Sequence, residues 1–340
     1  MNRPSFRYAL SAGVAAALLA ACGGSQSLVY PGPLGQPDVG SRAAAQDGCP
    51  TARCIVVGNA ASARGFHGSI LFFPRNASGN VRPVGGIEGS RTHLRYTAAV
   101  AMDSAGNIYA ANLLTSSITV YAPGSEGNVA PIRTIAGSQT ELDQPTGIAL
   151  DGKDDLYVVS EAGDRVTVYA PNSNGNVRPL RVISGSRTML DVPWGIALDS
   201  KSNIYVSNQA PSITVYAANA KGNAPPQRLI SGSLTQLVTP EGVAVDASGY
   251  IYVANWNSIV MLVFAPGASG NEAPARVDSN LYAPDGVALD ARGRTYVSNG
   301  CADDASFVAV FAAGANNAQP LRMIEGEKTK LNCSTSIFVR

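Results

Sequence analysis

Two carboxylates stand out by their positions. Glu241 in Pro240-Glu241-Gly242 and Asp285 in Pro284-Asp285-Gly286 fill the same place in a string that recurs along the chain. The equivalent residues in the other copies are Ala98, Thr146, Trp194 and Thr335, so the two acids fall in consecutive copies. Carboxylate oxygens are hard ligands of the kind Ca²⁺ prefers, and an ion held there would polarise a carbonyl or phosphoryl oxygen. A second series, Asn59, Asn112, Ser160, Asn208, Asn255 and Asn299, also recurs once per copy. Its repetition predicts architecture: an Asx-type bond from each side chain to the backbone of the loop it opens. Asn255, followed by Trp256, is the expected exception, and the amide oxygens of Asn255 and Asn299 are the ones expected to join the acids around a cation. The two histidines, His67 and His93, have no nucleophile motif beside them. No HExxH, GxSxG or GxxxxGK string occurs, so zinc, serine and nucleotide hydrolysis all lack their signatures.

The elements that must position these residues are short strands. The strings VAMD, IALD, IALD, VAVD and VALD end at Asp103, Asp151, Asp199, Asp246 and Asp290, with spacings of 48, 48, 47 and 44. Each Asp precedes a tight turn and then an Ile-Tyr-Val-type strand, which together read as a hairpin. A third strand of period two (Ile118 to Tyr121, Ile213 to Tyr216) and a fourth containing Arg133-Thr-Ile135 or Arg181-Val-Ile183 complete each copy. Four antiparallel strands at this period make a propeller blade. The Ile-Tyr-Val-type strand occurs six times, counting Ile55-Val56-Val57, but only five strands of the VAMD/IALD type precede their partners. The missing one is at the C-terminus, where Leu331 to Arg340 aligns with Leu142 to Asp151 and offers Ile337-Phe338-Val339 as the inner strand of the first blade. The predicted fold is therefore all-β: a six-bladed propeller of four-stranded antiparallel blades, closed by the last strand pairing into the first blade. Ligand chemistry on such a ring belongs to the top of the channel, where chains enter inner strands and leave second ones. The longest of the latter loops, in blades one and six, carry Arg64, His67, Asp303 and Asp304 on one edge of that face.

Composition agrees. Thirty-five Gly and 21 Pro among 340 residues suit many turns, and 45% hydrophobic against 14% charged residues suits a packed core. The N-terminus reads differently. Arg3 and Arg7 precede an apolar run, Ala9 to Ala21, that is too short for a permanent span, and Leu19-Ala20-Ala21-Cys22 follows. This string resembles the lipobox of bacterial lipoproteins, which implies cleavage before Cys22, acylation of its thiol and firm anchoring. Gly23 in place of Asp implies, by the same resemblance, the outer membrane, with the domain facing the periplasm or the cell surface. Residues 1–21 are then a signal peptide, 22–48 the lipidated cysteine and a Gly/Pro/Ser/Ala-rich tether, and 49–340 the propeller. Losing Arg3 and Arg7 leaves 23 basic against 24 acidic residues, a balance without the basic stripe that nucleic acid requires.

The blade string resembles the core of NHL-type and TolB-like six-bladed propellers over roughly residues 54–340. The position after the Ile-Tyr-Val strand is mostly Asn where that family carries Asp. Glu241 and Asp285 are similar in placement to calcium ligands of gluconolactonase- and paraoxonase-like propellers, which implies a calcium-dependent hydrolase or lactonase. Thr146 and Trp194 stand where those enzymes place Asn ligands, a departure from the pattern. With Cys22 lipidated, four cysteines remain in an oxidising compartment, and three pairings are possible. Their places on the two rims predict Cys49 with Cys54, and Cys301 with Cys333. The reading these residues favour is a monomeric, non-catalytic binding or scaffold module, presenting its top face to a protein or small ligand. The alternative is the calcium-dependent hydrolase.

Overall fold

The computed structural model describes residues 54–60, 67–300 and 306–339. Blade 1 combines β1 (Cys54–Asn59), β2 (Ser69–Pro74) and β3 (Gly85–Glu88) with the C-terminal strand. Blade 2 is β4 (Thr97–Met102), β5 (Ile108–Asn112), β6 (Ser117–Tyr121) and β7 (Arg133–Ile135). Blade 3 is β8 (Pro145–Leu150), β9 (Leu156–Ser160), β10 (Arg165–Tyr169) and β11 (Arg181–Ser184). Blade 4 is β12 (Pro193–Leu198), β13 (Ile204–Asn208), β14 (Ser212–Tyr216) and β15 (Arg228–Ser231). Blade 5 is β16 (Pro240–Val245), β17 (Ile251–Asn255), β18 (Val260–Phe264) and β19 (Arg276–Asp278). Blade 6 is β20 (Pro284–Leu289), β21 (Thr295–Asn299), β22 (Phe307–Phe311) and β23 (Arg322–Glu325). Finally β24 (Ser334–Val339) pairs antiparallel with β1, Ile55 opposite Val339 and Val57 opposite Ile337, so the first sheet runs β24-β1-β2-β3. The predicted closure is what the chain does. Among the described residues, no helix is long and apolar enough to cross a membrane.

The second strand of each blade is buried along its length, which is why it reads as an unbroken apolar run rather than an alternation. Side chains of adjacent blades fill the space between them. Tyr169 of β10, for example, packs in one cluster with Ala99 of β4, Tyr109 of β5 and Ile148 of β8. Toward the axis the inner strands crowd one another. A Cβ on Gly147, Gly195 or Gly242 would strike the backbone oxygen of Trp194, Glu241 or Asp285 in the next blade, so the Gly of the repeat string is fixed by close approach. That crowding brings the neighbouring entrance residues within reach of each other.

The repeated Asp has a structural task of its own. In blades 2 to 6 one oxygen of Asp103, Asp151, Asp199, Asp246 or Asp290 caps its own hairpin turn, accepting from the amide four residues on. The other oxygen accepts from the Tyr hydroxyl six residues on, at 3.2–3.4 Å. In blades 2 to 5 the same hydroxyl accepts from the outer-strand Arg (Arg133, Arg181, Arg228, Arg276), whose guanidinium also lies 5.5–5.7 Å from the ring centre. This Arg–Tyr–Asp latch ties the outer strand to the inner hairpin. Blade 1 lacks it: Val56 and Gly85 stand at the Tyr and Arg positions, and Arg340, outside the described residues, stands at the Asp position.

Blades are also clamped to their neighbours. The Asn of each Gly-Asn turn reaches the outer end of the preceding blade, where Asn80, Asn128, Asn176, Asn223 and Asn271 accept backbone N–H bonds at 2.7–2.8 Å. Between blades 5 and 6 this clamp is rewritten as Ser279–Asn317, Asn280–Ala318 and Gln319–Asn280 contacts.

Candidate functional site at the channel mouth

Glu241 and Asp285 are the second residues of β16 and β20, on adjacent blades, and their side chains are hydrogen-bonded to each other. They are 6% and 4% exposed. Trp194, from the blade on the other side of Glu241, also acts on Asp285. Burial raises the Glu241 carboxyl well above the ordinary range, and the facing Asp285, the bond to it and the more distant Glu161 push in the same direction. Burial also lifts Asp285, to about 7, against the opposing pull of the bonds from Glu241 and Trp194. Glu241 is thus raised further than Asp285, so the pair holds a proton between its two carboxyls and takes up its first negative charge only as pH rises through about 7. One oxygen of each group, Glu241 Oε2 and Asp285 Oδ1, is buried with no partner.

The rest of the entrance ring is satisfied. Thr146 donates to the Pro193 carbonyl at 3.2 Å, and Thr335 donates to the carbonyls of Gly58, at 3.2 Å, and Thr97. The expected adjacency of the two acids is therefore realised, and the open acceptors gather on that arc. The Asn series is architectural, although its bonds run backward. The side-chain oxygens of Asn59, Asn112, Ser160, Asn208, Asn255 and Asn299 accept from Asn332, Arg95, Asp143, Asp191, Val238 and Tyr282, in the loop before the inner strand rather than the loop each residue opens. Asn255 is no exception, since its oxygen serves Val238 at 2.9 Å and Thr239 at 3.2 Å. The Asn255 and Asn299 oxygens expected to join a cation are thus already engaged. Among the described residues no group of three or more His, Cys, Asp or Glu side chains is arranged to hold a metal.

Apolar residues flank the acid pair on the top face. Val238 and Tyr282 occupy one repeat position in blades 5 and 6, each tied by its N–H to the Asn of its own blade, and are 46% and 40% exposed. Ile259, 49% exposed, ends the turn opened by Trp256 in blade 5, with φ of 54°, a left-handed conformation that a β-branched residue adopts only under strain. In the other blades the Val238/Tyr282 position holds Arg95, Asp143, Asp191 and Asn332. The sequence held this signal, two apolar residues in a polar series just upstream of the two acids, but only the shared Asn bond puts those residues in register. Of the mixed-charge lip, His67 lies 3.3 Å from the Arg95 guanidinium, while Arg64, Asp303 and Asp304 are outside the described residues. A separate groove of about 600 Å³ lies on the outer side of blade 1, over Leu71, Gly85 and Gly86, with Arg82, Glu126 and Lys328 on its rim.

No family model and no curated protein matches the sequence. Solved structures share the fold. A protein of unknown function from Bacteroides caccae superposes with a TM-score of 0.61 at 11% identity, covering 84% of this chain and 97% of that one. A functionally unknown protein from Desulfotomaculum acetoxidans gives 0.54 at 11% identity, covering 82% and 83%. At these identities the likeness is one of architecture.

Proposed function

We propose that this protein is a lipid-anchored extracytoplasmic propeller that binds a ligand at its channel mouth without transforming it. The observation that carries the reading is the buried, proton-sharing Glu241–Asp285 pair beside the exposed apolar residues Val238, Ile259 and Tyr282. Such a surface suits an apolar molecule bearing an ammonium or another strong hydrogen-bond donor. The anchor is Cys22, in an outer membrane, with the domain acting as a monomer. The proposed disulfides are Cys49–Cys54 and Cys301–Cys333. Cys54 and Cys333 lie at opposite ends of β1, since the Ala60 N–H bonds the Cys333 carbonyl. That separation supports separate partners for the two, and Cys49 and Cys301 lie outside the described residues.

A calcium-dependent hydrolase is the second reading, favoured by the same two free oxygens. The donor set fits it poorly. Calcium takes six to eight oxygens, whereas Thr146 and Trp194 replace amide ligands and Asn255 and Asn299 are engaged. The test uses the emission of Trp194 and Trp256, the only two tryptophans, during titration with phenethylammonium and, separately, with calcium. The expected result is a saturable amine response, lost in Glu241→Gln/Asp285→Asn, and no calcium response. A calcium-dependent rise in melting temperature that disappears in the same variant overturns the binding reading in favour of the hydrolase.

A further inference from the structure

Each blade presents one residue on the outer rim at an equivalent point. Val84, Ile132, Leu180, Gln227, Ala275 and Leu321 each follow a Pro, precede the outer strand and donate their N–H to the third strand, to Phe72, Val120, Val168, Val215, Val263 and Val310 respectively. Equivalent backbone bonds make these six positions directly comparable. All six are exposed, yet four are large aliphatics: Leu321 (59%), Val84 (45%), Ile132 (53%) and Leu180 (59%). Those four are not scattered. They belong to blades 6, 1, 2 and 3, which are consecutive around the ring, and blades 4 and 5 carry Gln227 and Ala275 instead. Large aliphatics at the equivalent point of four successive blades mark one side of the ring as a surface with a partner, where a single exposed aliphatic would need no explanation.

The partner follows from where the chain enters. Cys54 opens β1 opposite Pro74, and Phe72, two residues before Pro74, accepts the Val84 N–H, so the entry point and the arc lie at the same end of blade 1. The 31 residues between Cys22 and Cys54 precede that point. A Gly/Pro/Ser/Ala-rich sequence of that length corresponds to a reach of roughly 30 Å, short enough to keep this rim near whatever holds Cys22 and too long to press it there. Arg82 and Arg178, exposed two residues before Val84 and Leu180, add positive charge on the arc, and Glu126, exposed in the turn of blade 2, opposes it.

We propose that the bottom outer rim of blades 6, 1, 2 and 3 rests on the bilayer surface, with Leu321, Val84, Ile132 and Leu180 entering the headgroup boundary. The inference rests on the lipid-anchor reading, and the two can be separated. The anchor turns the shallow insertion of four aliphatics into an intramolecular event, so contacts too weak to hold a free protein suffice to orient a tethered one. The propeller then leans on the side opposite blades 4 and 5 and holds the channel mouth away from the lipid.

The test uses the full lipidated protein in vesicles of phosphatidylethanolamine and phosphatidylglycerol with brominated acyl chains. Single Trp substitutions at Ile132 and Leu180 are compared with substitutions at Gln227 and Ala275, after subtraction of the parent emission. Quenching at the first two should exceed that at the second two by at least about three-fold. Equal quenching at all four, or none, overturns the proposal while leaving the anchor intact. An emission shift at Ile132 and Leu180 without bromine quenching assigns the arc to a second copy of the chain and also overturns it. The mass of the N-terminal peptide reads the anchor directly, and an unmodified Cys22 removes both readings.

Discussion

Replacing Glu241 by Gln and Asp285 by Asn together keeps the shape of the buried pair and removes its titration. In the unfolded chain both carboxyls return to ordinary values near 4. In the native state Asp285 is lifted by burial to about 7, and Glu241 is lifted well above its ordinary value. The folded protein therefore keeps a proton that the unfolded chain gives up. The resulting stabilisation is complete below about pH 4 and drains away as pH rises through 7. Each pH unit inside the window is worth about 1.4 kcal/mol per group, so Asp285 alone removes about 3 kcal/mol between pH 5 and pH 7. The assay is urea unfolding from pH 5 to pH 8 of the Cys22→Ser protein, with and without the paired substitution. Groups common to both proteins cancel in the difference. The parent should lose stability more steeply, and by pH 8 the Gln/Asn variant should be the more stable of the two. Parallel curves across the range would show that the two carboxyls do not share a buried proton, and the charge assigned to the site would go with it.

Other consequences are simpler to state. Deleting residues 331–340 removes β24 and bares the inner edge of β1, so the shortened protein should self-associate in light scattering and be digested faster, and a peptide of residues 331–340 should restore resistance. Tyr205→Phe breaks the latch between Asp199, at 3.3 Å, and Arg228, at 3.0 Å, and should cost ~1–2 kcal/mol in equilibrium unfolding. The equivalent site in blade 1 is already Val56, so Val56→Ala should show only the loss of apolar volume. Asn176→Ala removes the acceptor for the Gln139 N–H at 2.7 Å and should cost about 1 kcal/mol, leaving the Trp emission of the channel mouth unchanged.

The ring was legible because each blade restates it. Asp103 through Asp290 recur at a blade-length period, and β24 could be placed because its residues repeat the pattern of β8. The contact between the two acids was legible for the same reason, since consecutive copies of one string must become neighbours around an axis. What sequence could not supply was direction and reach. Asn112 looked like the opener of its own loop, but the inner-strand entrance passes closer, and its oxygen serves Arg95, 17 residues earlier. The Arg–Tyr–Asp latch was hidden by distance: Asp103 and Tyr109 are six residues apart and Arg133 follows 24 later, so three unremarkable positions become one unit only in the folded blade. The clamp between blades 5 and 6 was hidden by drift, because the 44-residue spacing shortens the loop after β19 and Asn316-Asn317 stands in place of the Gly-Asn turn in blade 6.

The placement of β1 also has a mechanical meaning. The chain from the N-terminal side enters the ring at Cys54, the bottom end of a strand flanked on one side by β2 and on the other by β24. A pull along that chain runs parallel to the strand, so it loads the hydrogen bonds of both ladders together in shear instead of peeling them one at a time. Had the ring closed by its outermost strand, the same pull would fall on a single ladder at an open edge. Resistance to force is set by the unfolding barrier rather than by equilibrium stability. By drawing its last strand in beside its first, this chain braces the strand at which it enters the ring with two ladders instead of one.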